Sequence, residues 1–213
     1  MVVLRVIVSL VLLFSNVHGL SSITFISSNK NKIAEVRALL KDLPCELYVE
    51  SLELWEPQAT PVEISRAKCA QAVKLVSGPV IVEDTSLCFN ALNGMPGQYI
   101  KHFYESLGSE GLARLLDGFS DRSAYAQCVL SYSEGMGAEP KTFIGVAEGS
   151  ILRPEEVASR ADSNGFGWDP IFVPNGFSKP FGQLSFEVKN LNSARFKAFR
   201  QLKQYLNSHS EEG

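Results

Sequence analysis

The chain has 213 residues, 45% of them apolar and 20% charged, which suits one globular domain or one domain with two lobes around a cleft. Its net charge of −3 excludes an extended basic face for duplex nucleic acid, so any anion site must be a local cluster of Lys and Arg. The four cysteines, Cys45, Cys69, Cys88 and Cys128, stand far apart and form no C-x-x-C, which excludes zinc spacing and a dense disulfide framework and predicts buried free thiols.

Residues 1–20 differ from the rest. Arg5 precedes the apolar run Val6 to Phe14, and Val17-His18-Gly19 places small or apolar residues where a signal peptidase cuts. That is the pattern of a secretory signal or targeting segment, too short for an ordinary membrane span. The entry signal of an organelle and an upstream start codon are the other readings. A single domain is expected over residues 21–213, with no stable membrane association.

Ile23 to Ile26 is a short β-rich run that ends in Ser27-Ser28-Asn29, and Ile33, Val36, Leu39 and Leu40 then fall on one helix face. Strand, polar turn and helix start form the geometry in which free backbone N–H groups point at an anion. The short side chains of Ser27, Ser28, Asn29 and Asn31, with Lys30 and Lys32, suit phosphate oxygens. A plain helix cap with solvated lysines is the alternative. The chain holds neither a G-x-x-x-x-G-K-[ST] loop nor a G-x-G-x-x-G after a strand.

Cys45 to Val49 reads as a second strand. Thr60-Pro61-Val62-Glu63 is a helix start with a cap, a Pro at the first helical position and a capping box. That helix should run through Val76 and stop at Ser77-Gly78-Pro79. Pro79 to Val82 reads as a buried strand ending in Glu83 and Asp84. Carboxylates at the carboxyl end of a strand can hold Mg²⁺ or take a proton from attacking water, or they are solvated loop acids. Gln98 to Leu107 and Glu110 to Leu116 read as two short helices, and Ala124 to Tyr132 with Thr142 to Ile151 as a hairpin.

The block Gly165-Phe166-Gly167-Trp168-Asp169-Pro170-Ile171-Phe172 offers two flat aromatic faces, a carboxylate beside them and glycines that permit close approach. It suits either a stacked base or a buried strand end after a tight turn. A closing helix begins near Ser193, with Phe196, Phe199, Leu202 and Leu206 on one face. Strands and helices alternate first and antiparallel strands follow, which predicts an α/β protein with a mixed sheet.

Four blocks in order resemble the inosine triphosphate pyrophosphatase (noncanonical purine NTP pyrophosphatase) family, from about Ile23 to Leu206. They are Ser27 to Lys32, Val82-Glu83-Asp84-Thr85, Gly165 to Phe172, and Lys189 to Arg195. The family pattern in the first block is Thr-Gly-Asn-x-x-Lys, so Asn29 and Lys32 match, Ser27 replaces Thr and Ser28 stands where Gly is usual. In the last block the pattern is Lys-Asn-x-x-Ser-His-Arg, and Ala194 takes the place of a base-reading His.

The resemblance implies an elongated mixed central β-sheet with two lobes flanking a deep nucleotide cleft, a homodimer and a cytoplasmic location. It implies hydrolysis of ITP, dITP and XTP to the monophosphate and pyrophosphate, with Mg²⁺ or Mn²⁺. It makes Asp84 the proton acceptor and a nucleotide contact, and Glu56, seven residues before Glu63, a metal-binding acid beside it. It assigns nucleotide contacts to Lys68, Thr85, Lys101 and Lys189. Phe166 and Trp168 would wall the purine, Asp169 and Arg195 would read its edge, and Gly167 and Ser193 are further substrate contacts. Two rivals are a septum-formation (Maf-like) pyrophosphatase acting on other nucleotides and a nucleotide-binding protein that has lost turnover.

Overall fold

In the computed structural model, residues 20–43, 45–158 and 167–210 are described. The targeting reading of residues 1–20, Leu20 apart, and the stacking reading of Phe166 lie outside these residues. Strand β1 (Ser22–Ile26) leads through Asn29 into helix α1 (Lys30–Leu40). Strand β2 (Glu46–Glu50) follows, then helix α2 (Pro61–Ala72), whose capping box of Thr60 and Glu63 closes in both directions. Strand β3 (Val80–Phe89), the short β4 (Pro96–Gly97) and helix α3 (Ile100–Arg114) come next. Strands β5 (Ser123–Ser133) and β6 (Lys141–Ile151) form the predicted hairpin. The chain then forms α4 (Pro154–Ala158), β7 (Phe172–Pro174), α5 (Phe186–Asn192) and α6 (Ala194–Ser210).

The seven strands make one mixed sheet in the order β2-β1-β3-β5-β6-β7, with β4 alongside β3. The β2-β1-β3 part is parallel and the rest antiparallel. This is the α/β mixed sheet that the alternation of elements predicts. No helix among the described residues is long and apolar enough to cross a membrane. All four cysteines are free, with Cys69, Cys88 and Cys128 buried and Cys45 half-buried.

One correction matters for the site. Glu83 and Asp84 do not end a strand: β3 continues through them to Phe89, because β5 pairs with it along its whole length. Since β5 takes one edge of β3, both β1 and β4 lie along the other. There β1 pairs only as far as Ile81 and β4 only from Leu87, which leaves the edge between them open. The two carboxylates therefore still sit past the carboxyl end of the parallel strand β1, where ligands gather in open α/β sheets.

Alternation along β3 separates them. Ile81 belongs to the main core with Val36 and Leu40 of α1 and Phe199 and Leu202 of α6, whereas Val80 and Val82 pack with Cys69 and Ala72 of α2. Glu83 follows Ile81 onto the α1–α6 face, and Asp84 follows Val82 onto the α2 face.

Smaller differences have local causes. The two helices expected over 98–116 are both present, joined within α3 at Gly108 (φ 65°, ψ −176°), a backbone setting that favours glycine and breaks the helix there. Helix α5, and the short β4, α4 and β7, carry too little periodicity to be read from sequence. In α6, Ala198 replaces Phe196 on the core face, and Phe196 lies half-buried with the Arg200 guanidinium 5.9 Å from its ring centre.

Candidate active site

The open edge of β3 borders a cavity of about 900 Å³, within the range of nucleotide-sized pockets. The β1–α1 turn contributes Ser27, Ser28, Asn29 and Lys32; the loop before α2 contributes Glu56, and α2 itself Lys68. Glu83, Asp84 and Thr85 of β3 and Lys101 of α3 also line it. Gly167, Trp168 and Asp169 close another side with Lys189, Ser193 and Arg195. Lys30 and Asn31 do not line this cavity. Gly167 has φ 60°, a left-handed turn that glycine permits.

The β1–α1 turn is tighter than the sequence suggests. The Asn29 side chain caps α1, accepting from the Asn31 N–H at 3.0 Å and the Lys32 N–H at 3.2 Å. Two of the donors expected to meet an anion are thus used by the cap, and the positive charge there comes from Lys32. The backbone at Ser28 does not take the left-handed conformation that would call for glycine, since Asn93 is the one described non-glycine residue with positive φ.

On the α1–α6 face, buried charges alternate in a chain. Asp169 accepts from Lys189 at 2.6 Å, and Lys189 also donates to Glu35 at 2.8 Å. Glu35 pairs with Arg195, whose Nε and Nη2 reach the two Glu83 oxygens at 2.9 and 3.1 Å. Lys32 closes the series on Glu83 at 2.8 Å. Arg195 Nη2 also donates to the Thr85 hydroxyl. Its four hydrogen bonds leave at most one of five N–H groups for a base carbonyl.

Burial opposes the charge on Glu83, but Arg195 and Lys32 outweigh it and hold the carboxyl well below the usual range. Lys189 is held charged in the same way: burial works against it, and Asp169 and Glu35 more than compensate. Glu35 is the residue the sequence reading missed. Its signal was position, because it lies three residues after Lys32 and four before Leu39, at the border of the apolar helix face, where an unpaired acid is rare.

On the α2 face, Lys68 Nζ lies 2.7 Å from Glu56 and 2.9 Å from Asp84. Burial raises the Asp84 pKa above the ordinary carboxylate value, although Lys68 and Lys32 pull against it. The other Asp84 oxygen, Oδ2, is buried and has no hydrogen-bond partner among the described residues. Glu56 is fixed by its neighbour: Gln71 of α2 accepts from the Trp55 N–H at 2.9 Å and donates to the Trp55 carbonyl at 2.8 Å.

This arrangement fits a divalent ion of the magnesium type. Two carboxylates already share one cation, and one of them has an orphaned buried oxygen. No group of three or more His, Cys, Asp or Glu ligands exists among the described residues. Mg²⁺ is commonly held by one or two carboxylates, with phosphate oxygens and water completing the shell.

Trp168 is half-buried, edge-on to Phe172 at 5.8 Å between ring centres, and Phe172 in turn packs on Phe181 at 5.3 Å. The indole at the cavity wall is thus backed by two further rings. Ala194, the first residue of α6, is buried and also borders the cavity. Its backbone lies directly over Gly145 of β6: a Cβ added to Gly145 would fall 2.0 Å from the Ala194 carbonyl oxygen and 2.6 Å from the Ala198 nitrogen. Glycine at 145 therefore sets how closely the start of α6, and Arg195 with it, approaches the sheet.

The geometry has relatives. Residues 23–205 match the model of the Ham1 family. An inosine triphosphate pyrophosphatase of Aspergillus fumigatus is 46% identical over 184 residues, 86% of this chain and 94% of that protein. The structure of a HAM1 protein from Coxiella burnetii superposes with TM-score 0.77 at 30% identity, covering 89% of this chain and all of the other. A nucleoside-triphosphatase described as a dITP/XTP pyrophosphatase, from Mycobacterium abscessus, superposes with TM-score 0.65 at 27% identity over 85% of this chain and 98% of its own. A family match over almost the whole described chain, joined to a relative of this identity and coverage, places the protein in the Ham1 family.

Proposed function

We propose that the protein is a purine nucleoside triphosphate pyrophosphatase, acting on noncanonical nucleotides such as ITP, dITP and XTP and releasing the monophosphate and pyrophosphate. The observation that carries this reading is Asp84. Burial raises its pKa above the ordinary carboxylate value, one oxygen is held by Lys68 and the other is left without a partner, at the border of a nucleotide-sized cavity.

The Asp84 carboxylate accepts the proton of a water that attacks the α-phosphorus. Lys32, Lys68 and Lys101 approach from three elements and neutralise the polyphosphate as pyrophosphate leaves. Glu56 and Asp84 would hold the divalent ion, Mg²⁺ or Mn²⁺, which when bound would supply charge neutralisation on the phosphate oxygens. Trp168, with Phe166 beside it in sequence, offers the stacking face for the purine.

Arg195 meets the base as a pre-positioned donor. Glu83 and Glu35 fix the guanidinium, so its remaining N–H can meet a 6-oxo group and rejects the 6-amino donor of adenine, since facing donors leave a buried group unpaired. Ala194, small where the family pattern has His, leaves that part of the wall open to the base. A homodimer in the cytoplasm belongs to the same proposal and is supported by the family likeness alone.

The test is pyrophosphate release from ITP, XTP, GTP and ATP with Mg²⁺, in parallel with Asp84→Asn. Turnover of ITP and XTP well above ATP, lost in the variant, is the expected result. Tight ITP binding without turnover would favour the nucleotide-binding alternative.

A further inference from the structure

The position between Glu56 and Asp84 is held by a residue of the chain itself. Lys68 Nζ touches both carboxylates, at 2.7 and 2.9 Å, the two acids read as holding the divalent ion. The site is built for this. Lys68 and Gln71 lie one turn apart on α2, and Gln71 pins the loop that carries Glu56 through both polar atoms of the Trp55 backbone. The same helix thus fixes both the ammonium and one of the carboxylates it occupies. The Lys68 side chain is mostly buried, 13% exposed, yet borders the cavity, so its flexible stem can swing the ammonium toward a ligand there.

We propose that Lys68 is an ion-exchange residue: its ammonium occupies the divalent-ion position between Glu56 and Asp84, and moves onto the polyphosphate when ion and nucleotide enter together. The inference rests on the pyrophosphatase reading for its nucleotide and ion, and gives Lys68 a role beyond phosphate contact. Two carboxylates that already share a +1 charge attract a free ion poorly. An incoming triphosphate removes that competition by accepting the ammonium, so ion and nucleotide bind cooperatively. After turnover, departure of the phosphates lets Lys68 return to the carboxylates and expel the ion.

The experiment is Mn²⁺ binding followed by electron paramagnetic resonance on the full chain without nucleotide. Lys68→Met should bind Mn²⁺ at least tenfold tighter than the parent, and adding Glu56→Gln to that variant should abolish the gain. Equal or weaker binding in Lys68→Met, or a gain that survives Glu56→Gln, overturns the proposal.

A second measurement uses the unmodified protein, in case the variant does not fold. Acetylation of Lys68 by an amine-reactive ester, mapped by mass spectrometry against exposed Lys30, should rise several-fold at saturating Mn²⁺. An unchanged ratio overturns the proposal. ITP turnover by the parent is scored separately. Turnover without the Mn²⁺ gain sinks the exchange alone, and the gain without turnover sinks the pyrophosphatase reading alone.

Discussion

Glu83→Gln removes the carboxylate on which Lys32 and Arg195 converge while keeping its shape. The Glu83 side chain is 1% exposed, and its two oxygens receive Arg195 at 2.9 and 3.1 Å and Lys32 at 2.8 Å. Removing one partner from a buried ion pair typically costs about 3–5 kcal/mol. The low end applies here, because Arg195 keeps Glu35, Lys32 can reach water, and Gln still offers one acceptor. A loss of about 3 kcal/mol corresponds to a fall in Tm of roughly 6–12 °C for a domain of this size.

The pH dependence has a definite sign. The Glu83 pKa is lowered on folding, since Arg195 and Lys32 outweigh its burial, so the ionised group stabilises the fold. That contribution is fully present above the unfolded Glu value of about 4.3 and is lost as pH falls through the folded value. Thermal and urea unfolding of metal-free protein, followed by circular dichroism, should therefore show a gap between parent and variant that is constant from about pH 5.5 to 8 and narrows below about pH 4. A variant within about 0.5 kcal/mol of the parent at pH 7, or a gap indifferent to pH, would refute the reasoning.

Asp84→Asn should lower kcat by about 10²–10⁴-fold, the usual contribution of a general base, while ITP still binds; a loss of under tenfold in a steady-state assay would remove Asp84 from that role. Trp168→Ala should raise the KM for ITP through loss of about 1–3 kcal/mol of stacking, roughly 5- to 150-fold, with a smaller effect on kcat. Gly145→Ala should cost about 3 kcal/mol, because the added Cβ meets backbone of α6 that cannot turn aside; an unchanged Tm would contradict the close approach.

What could be read from the chain alone was what local chemistry determines. The Asn29 cap and the Thr60–Glu63 capping box are decided within a few residues, so the starts of α1 and α2 were legible. The end of β3 was not. Whether Glu83 closes a strand or lies inside one depends on pairing with β5, which begins more than thirty residues later. That pairing also decides that Glu83 and Asp84, adjacent in sequence, point to opposite faces and serve different partners. Glu35 illustrates the same limit. Its helix position was visible, but its partners Lys189 and Arg195 arrive from the last two helices and no local pattern announces them.

The most direct test of the central claim is hydrolysis of ITP in ¹⁸O-enriched water with Mg²⁺, with both products analysed by mass spectrometry. Attack at the α-phosphorus with Asp84 accepting the proton predicts one ¹⁸O in the inosine monophosphate and none in the pyrophosphate. Label in the pyrophosphate, or release of inorganic phosphate and the diphosphate, would contradict the account.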